Sequence, residues 1–192
     1  MNAKRIIALA GLSGAGKTTL IRQVVDESKV VHLSTSELIK TQIKVENVVD
    51  KTSEALRTGN IANNQDRLIT AFTAIAPSIT EHIILGCHTI IDTPTGIQEI
   101  PIEVFKTIKI TDFLFLSVDP MELYQRREKD MLRSRPIRTI EELESQQKIG
   151  LELAHQIAEA LCILFFDIGA APEEQLLSIL QSLPLLSKRT PR

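Results

Sequence analysis

Five short apolar runs alternate along the chain with stretches in which apolar residues recur every three or four positions. The runs at 6–10, 30–33, 82–85, 113–118 and 163–168 have the length and the β-branched or aromatic content of strands buried on both faces. Between them the spacing predicts helices at 19–25, 36 to about 42, 64–75, 102–108, from 120 onward, 139 to about 161, and 172 to near 184. Leu68, Phe72 and Ile75 mark the apolar face of the third of these, and Pro77 ends it. Asp119-Pro120 reads as an N-cap followed by proline in the first turn, and Thr139-Ile140-Glu141-Glu142 as a capping box. A helical turn is expected at 52–56, ahead of Gly59. Apolar strands separated by helices predict an α/β fold of three layers, with a five-stranded, mostly parallel sheet covered on both faces. Residues 1–186 read as a single domain without internal repeats, and 187–192 as a disordered tail.

Composition narrows the class. The chain has 192 residues, 43% of them hydrophobic and 24% charged, which suits a globular domain with a sizeable core. A net charge of −2 offers no electrostatic footprint for nucleic acid or an acidic membrane, so neither is expected as a partner. The cysteines, Cys87 and Cys162, lie in apolar surroundings without metal-ligand spacing and read as buried thiols. Met1-Asn2-Ala3-Lys4-Arg5 leads directly into the first strand, and no apolar run is long enough to span a bilayer, so a cytoplasmic protein is expected.

The segment Gly11-Leu12-Ser13-Gly14-Ala15-Gly16-Lys17-Thr18 fits the phosphate-loop pattern G-x-x-x-x-G-K-[ST] at every position. It stands between a strand and a helix, the context the pattern requires. Its glycines let backbone N–H groups approach phosphate, and the helix start beyond it adds positive dipole. Gly11, Ser13, Gly14, Ala15, Gly16, Lys17, Thr18 and Thr19 are therefore the candidate ATP-binding residues, with Lys17 reaching the β- and γ-phosphates and the Thr18 hydroxyl available to Mg²⁺. In open α/β sheets, ligands bind beyond the carboxyl ends of the strands, so further site residues should follow strands.

A second segment carries matching chemistry. Residues 126–138 hold five arginines, Arg126, Arg127, Arg133, Arg135 and Arg138, with Pro136 interrupting the helix among them. Guanidinium forks bind phosphate in bidentate fashion, and phosphoryl transfer needs cations around the migrating group. Arg126, Asp130 and Arg133 would share one helical face, with Asp130 orienting both arginines.

With these two segments in view, the chain resembles the P-loop nucleoside monophosphate kinases, in particular the archaeal-type adenylate kinases and related bacterial ATP-binding proteins. The resemblance runs from about residue 6 to 168. It rests on the phosphate loop, on the Arg-Arg-x-x-Asp-x-x-Arg-x-Arg pattern formed by Arg126, Arg127, Asp130, Arg133 and Arg135, and on a glutamine, Gln146 or Gln147, in the following helix. It rests also on His88, on Thr93-Pro94-Thr95-Gly96 with Pro101 beyond, and on Ser34-Thr35-Ser36-Glu37-Leu38. It implies a three-layer P-loop fold with an acceptor flap at about 36–77 and an arginine-rich lid at about 124–140. It implies Lys17, Arg126, Arg127, Arg133 and Arg135 as catalytic residues, with Thr35, Arg57 and His88 toward the acceptor monophosphate. Gly169, after the fifth strand, would pass the adenine of ATP. The implied cofactors are ATP and Mg²⁺, and the implied partners are small-molecule nucleotides.

Gly86 stands where the family carries an Asp of the Mg²⁺ shell, two residues before the His. Thr18 is then the obvious metal ligand, with Asp92 as a candidate substitute, although Asp92 also suits a turn cap before Thr93-Pro94. Three functions follow: ATP-Mg-dependent phosphoryl transfer to a nucleoside monophosphate, a small-molecule kinase with a hydroxyl acceptor, and a non-catalytic ATP-binding switch. His32 and His155 read as structural or exposed. The oligomeric state and the base of the acceptor are not encoded in any of these patterns.

Overall fold

A computed structural model gives the fold and describes residues 4–25, 30–46, 56, 59–130 and 135–183. Arg57, Arg133 and the tail at 187–192 lie outside the described residues, as does the expected turn at 52–56 apart from Leu56. The strands are β1 (Ile6–Ala10), β2 (Val30–Ser34), β3 (His82–Gly86), β4 (Ile90–Thr93), β5 (Gly96–Glu99), β6 (Asp112–Phe115) and β7 (Leu164–Asp167). The helices are α1 (Lys17–Val25), α2 (Thr35–Val45), α3 (Ile61–Ile75), α4 (Ile102–Ile108), α5 (Pro120–Lys129), α6 (Ile140–Ala160) and α7 (Pro172–Gln181).

Five strands form one parallel sheet in the order β2-β3-β1-β6-β7. Ile7, Ala8, Leu9 and Ala10 of β1 are fully buried, as expected for the central strand of a sheet covered on both faces. Side-chain alternation splits the core in two. Ala8, Ile83, Leu85, Phe113 and Phe115 point toward α2, α3, α4 and α6, meeting Leu38, Phe72, Phe105 and Ile157. Ile7, Leu9, Ile84 and Leu114 point the other way, toward Ile21 and Val24 of α1 and Leu176 and Leu180 of α7. Each fully buried Leu, Ile or Phe contributes about 1.5–3 kcal/mol, so this double face supplies most of the drive to fold.

The register sets up the site. Leu9 pairs with Gly86, Ala10 with Phe115, Ser34 with Gly86, and Phe115 with Asp167. All five carboxyl ends therefore open onto one edge, which is followed by Gly11, Thr35, Cys87-His88, Leu116-Ser117 and Ile168-Gly169. The fourth strand of the sheet ends at Phe115, short of the expected 118. Val118 instead donates its N–H to Gln147 Oε1 at 3.0 Å and accepts from Gln147 Nε2 at 2.9 Å, which ties α6 to the loop before α5.

One element was not foreseen. β4 and β5 form a separate antiparallel hairpin between β3 and α4, with Thr93 paired to Gly96 across a two-residue turn. The Thr93 hydroxyl donates to Gly96 O at 2.6 Å and accepts from Thr95 N at 3.3 Å. Ile90 of this hairpin packs with Leu12, Leu123 and Leu143 in a small third core, joining hairpin, phosphate loop, α5 and α6. No described helix is long and apolar enough to cross a membrane.

Helix α6 approaches the sheet closely because Gly150 has no side chain. The Thr89 hydroxyl donates to Gly150 O at 2.8 Å, and a Cβ at Gly150 would stand 3.2 Å from Thr89 Oγ1 and 3.4 Å from the Phe115 ring. Thr89 and Phe115 are both buried and have nowhere to move. Gly150→Ala gains about 1 kcal/mol of helix propensity but overpacks this contact at a cost of about 1–3 kcal/mol. The expected outcome is a melting temperature about 3 °C lower by calorimetry; a rise would contradict the close approach.

Candidate functional site

The loop between β1 and α1 is held in shape by its own carbonyls. Gly11 O accepts from Lys17 Nζ at 2.7 Å and from His88 Nδ1 at 2.9 Å. The same His88 Nδ1 lies 3.4 Å from Lys17 Nζ, so the ring touches both the carbonyl and the ammonium that holds it. Leu12 O accepts from Lys17 Nζ at 3.1 Å and from Ala15 N at 3.1 Å. Ser13 O accepts from Arg127 Nε at 2.9 Å, and Ala15 O from Arg126 Nη1 at 2.7 Å. Gly16 O accepts from Leu20 N at 2.9 Å in the first turn of α1. Each peptide is planar and trans, so a carbonyl pinned on one side turns the next N–H to the opposite side. Arg127 thus orients the Gly14 N–H, and Arg126 the Gly16 N–H. Gly14 and Gly16 adopt φ +93° and +95°, the left-handed backbone that such a concave run of N–H groups requires.

The arginine segment closes over this loop. Arg126 also pairs with Glu122 at 2.6 Å along α5. Arg135 Nε donates to Ser13 Oγ at 3.1 Å, and Arg135 Nη2 pairs with Asp130 at 2.6 Å. Arg135 Nη1 is buried without a hydrogen-bond partner. The expected helical face of Arg126, Asp130 and Arg133 is corrected here. The helix ends at Lys129, Asp130 leaves it at φ −86° and ψ 81°, and its carboxylate meets Arg135.

Asp92 faces arginine side chains. Its carboxylate accepts from Arg138 Nη2 at 2.9 Å and Arg138 Nε at 3.3 Å, and lies 3.8 Å from Arg127 Nη1. A carboxylate held by two guanidinium groups is a poor candidate metal ligand, and no described cluster of three or more His, Cys, Asp or Glu side chains could hold an ion. Thr18 and Thr19 are exposed in the first turn of α1. An Mg²⁺ ion takes most of its shell from water and phosphate, so the single Thr18 hydroxyl fits such an ion.

The remaining residues divide. Lys17, His88, Arg126, Arg127 and Arg135 converge on the loop. Thr35 begins α2 directly after β2, and Gly169 follows β7, where a Cβ would stand 3.2 Å from Ser117 Cβ. Both are on the same sheet edge as the loop. Arg138 was grouped with the other arginines in the sequence, but its partnership with Asp92 was not foreseen; the two are brought together only by the hairpin. His155 stacks edge-on against Phe165, with ring centroids 5.2 Å apart. Of the two cysteines expected to be buried, Cys162 is exposed after α6, whereas burial pushes the Cys87 thiol up to about 12, which keeps it protonated and unreactive.

His32 lies against Gly86. A Cβ at Gly86 would stand 3.2 Å from His32 Nε2 and 3.7 Å from Ile21 Cδ1. Nε2 is buried without a hydrogen-bond partner, and desolvation, then the Arg22 charge, lower the imidazole below its ordinary value.

A parallel sheet of this order, with a glycine loop leading from its central strand into α1, defines a P-loop nucleotide-binding fold of the kind found in kinases. The model of the family described as the AAA domain matches residues 10–144, and the chain belongs to that family. The chain is similar to the adenylate kinase of Methanothermobacter thermautotrophicus, 24% identical over 148 residues covering 76% of this chain and 80% of that one. It is 25% identical over 159 residues to the adenylate kinase of Pyrococcus abyssi, covering 76% of each. Among solved structures, a shikimate kinase from Bacteroides thetaiotaomicron superposes with a TM-score of 0.58 at 18% identity, covering 93% of this chain and 99% of that one. A sugar kinase from Janibacter superposes with a TM-score of 0.54 at 18% identity, covering 94% of both.

The His32 contact gives a test with a worked sign. An imidazole whose folded pKa is lowered binds its proton more readily in the unfolded chain. Its contribution is therefore complete above the ordinary value of about 6.5 and is lost as pH falls below it. Gly86→Asp places a carboxylate against Nε2 and should raise the His32 pKa. The expected results are a wild-type protein that loses stability between about pH 7 and pH 5, and a Gly86→Asp protein in which that loss is abolished. NMR titration of His32 and melting across this range check both; a His32 pKa that does not rise in Gly86→Asp contradicts the contact.

Proposed function

We propose that this protein transfers the γ-phosphoryl group of ATP to the phosphate of a nucleoside monophosphate. The observation that carries the reading is the convergence of Arg126, Arg127 and Arg135 on the loop of Lys17, at 2.7, 2.9 and 3.1 Å from Ala15 O, Ser13 O and Ser13 Oγ. Phosphoryl transfer asks little covalent chemistry of a protein; positioning and charge compensation dominate. The loop N–H groups and Lys17 hold the β- and γ-phosphates. Arg135, with its buried and unpartnered Nη1, serves the migrating group, and Arg133 is assigned the same role from the sequence pattern alone. Gly169 passes the adenine, and Thr35, Arg57 and His88 serve the acceptor. Thr18 holds Mg²⁺, which when bound neutralises phosphate charge. Residues 36–77 act as the acceptor flap and 124–140 as the lid, whose closure excludes water so that the acceptor and not water is phosphorylated.

A phosphate oxygen needs no general base, and this distinguishes the reading from its neighbours in fold. A hydroxyl acceptor calls for a carboxylate base, yet Gly86 offers none and Asp92 is held by Arg138 and Arg127. The adenylate kinases among the chain's relatives support the same acceptor class. The absent carboxylate at Gly86 also favours a second reading, a non-catalytic switch that binds ATP and reports it to a partner.

Incubation of ATP with each ribo- and deoxyribonucleoside monophosphate separates these readings. Transfer to one or two acceptors is the expected result; ATP binding without transfer to any would support the switch. On the acceptor identified, Arg135→Ala should lower turnover by about a thousandfold while ATP affinity changes by less than about threefold, the signature of a contact made in the transition state. An equal loss in both would make Arg135 a binding residue.

A further inference from the structure

Asp92 sits at a junction that neither the phosphate loop nor the arginine segment explains alone. It lies on β4 of the hairpin, with its side chain only 11% exposed. Arg127 is near the end of α5, before the segment that carries Arg135. Arg138 is just after that segment, one residue before the Thr139 N-cap of α6. One carboxylate therefore meets the two ends of the arginine-rich segment, Arg138 bonding Oδ1 at 2.9 Å and Oδ2 at 3.4 Å while Arg127 Nη1 lies 3.8 Å from Oδ2. Arg138 reaches Glu142 at 3.5 Å as well, and Arg127 extends through Nε to Ser13 O at 2.9 Å.

The geometry points to Asp92 as a positioning residue, a clasp that joins both stems of the lid to the hairpin and aims Arg127 at the phosphate loop. This rests on reading the loop as an ATP-phosphate site. The physical need is plain. Arg127 is 91% buried along its side chain, and its Cγ is 3.1 Å from where a Gly14 Cβ would stand, so it runs directly over the loop. Burying a guanidinium that deep is costly, and the Asp92 carboxylate 3.8 Å away offsets part of that cost. Without Asp92, Arg127 has reason to swing out, Ser13 O loses its donor, and the Gly14 N–H is no longer fixed toward phosphate. Arg138 sets the carboxylate plane by its two-nitrogen grip, so its effect passes through Asp92. The hairpin is in this account the fixed anchor against which the lid is built.

The test is a double-mutant cycle on Asp92→Asn and Arg138→Gln, read by calorimetric MgATP affinity and by Tyr124 fluorescence. Tyr124 is the only tyrosine, the chain has no tryptophan, and the residue lies on α5 against the core of Leu12, Ile90, Leu123 and Leu143. Asp92→Asn should weaken MgATP about tenfold, Arg138→Gln about threefold, and the pair no more than Asp92→Asn alone, because interacting groups are not additive. Acrylamide quenching of Tyr124 should rise in ligand-free Asp92→Asn. Unchanged affinity in Asp92→Asn, or losses that multiply, would overturn the clasp. Where Asp92→Asn does not fold, Asp92→Glu replaces it: weakened MgATP binding supports the clasp, and wild-type affinity overturns it. Wild-type protein that does not bind MgATP contradicts the phosphate-loop reading instead, and the ligand-free Tyr124 signal then decides the clasp, with unchanged quenching overturning it.

Discussion

The site depends on one repeated interaction, a cationic side chain holding a backbone carbonyl of the phosphate loop. Lys17 holds Gly11 and Leu12, Arg127 holds Ser13, and Arg126 holds Ala15. Because each peptide is rigid, fixing the carbonyls on one side gathers the N–H groups on the other. The loop is thereby organised as an anion site before an anion arrives, and little reorganisation is left for the moment of binding. The arginines have a double part in this arrangement. They build the loop from its carbonyl side, and their remaining nitrogens tie it outward, Arg126 to Glu122 and Arg127 toward Asp92.

This dependence ties distant parts of the chain together. β1 must be the central buried strand, since its end fixes where Gly11 begins. α5 must stop at Lys129, since continuing the helix would carry Asp130 away from Arg135. The hairpin must stand beside both stems of the lid, since Asp92 reaches Arg127 and Arg138 only from there. Gln147 then fastens α6 to Val118, which keeps the approach to α5 at a set distance. Gly86 leaves space beside His32, whose Nε2 would stand 3.2 Å from a Cβ at that position.

Much of this was legible in the sequence, for identifiable reasons. β1, β3 and β6 are buried on both faces and apolar at nearly every position, and the partly exposed edge strands β2 and β7 are still apolar enough to stand out with them, as do the chemistry of the loop and of the arginines. The hairpin did not. β4 and β5 have four residues each, and Gln98 and Glu99 are exposed, so they lack the continuous apolar signal. Thr93-Pro94-Thr95-Gly96 was the available turn signal. Asp130 falls one residue past the end of α5, so helical spacing does not place its side chain. Asp92 and Arg138 are 46 residues apart, and Gly150 looks like any small residue in a helix until Thr89 and Phe115 are seen against it. Each of these is set by tertiary contact, which local periodicity does not carry.

The central claim, that this loop is built to hold the phosphates of ATP with Lys17 as its charge, is tested most directly by calorimetric titration of MgATP into the wild-type chain and into Lys17→Ala. The account expects one site of micromolar affinity in the wild type and a loss of at least about a hundredfold in Lys17→Ala, in keeping with removal of a charge-assisted contact. Equal affinity in the two proteins would contradict it.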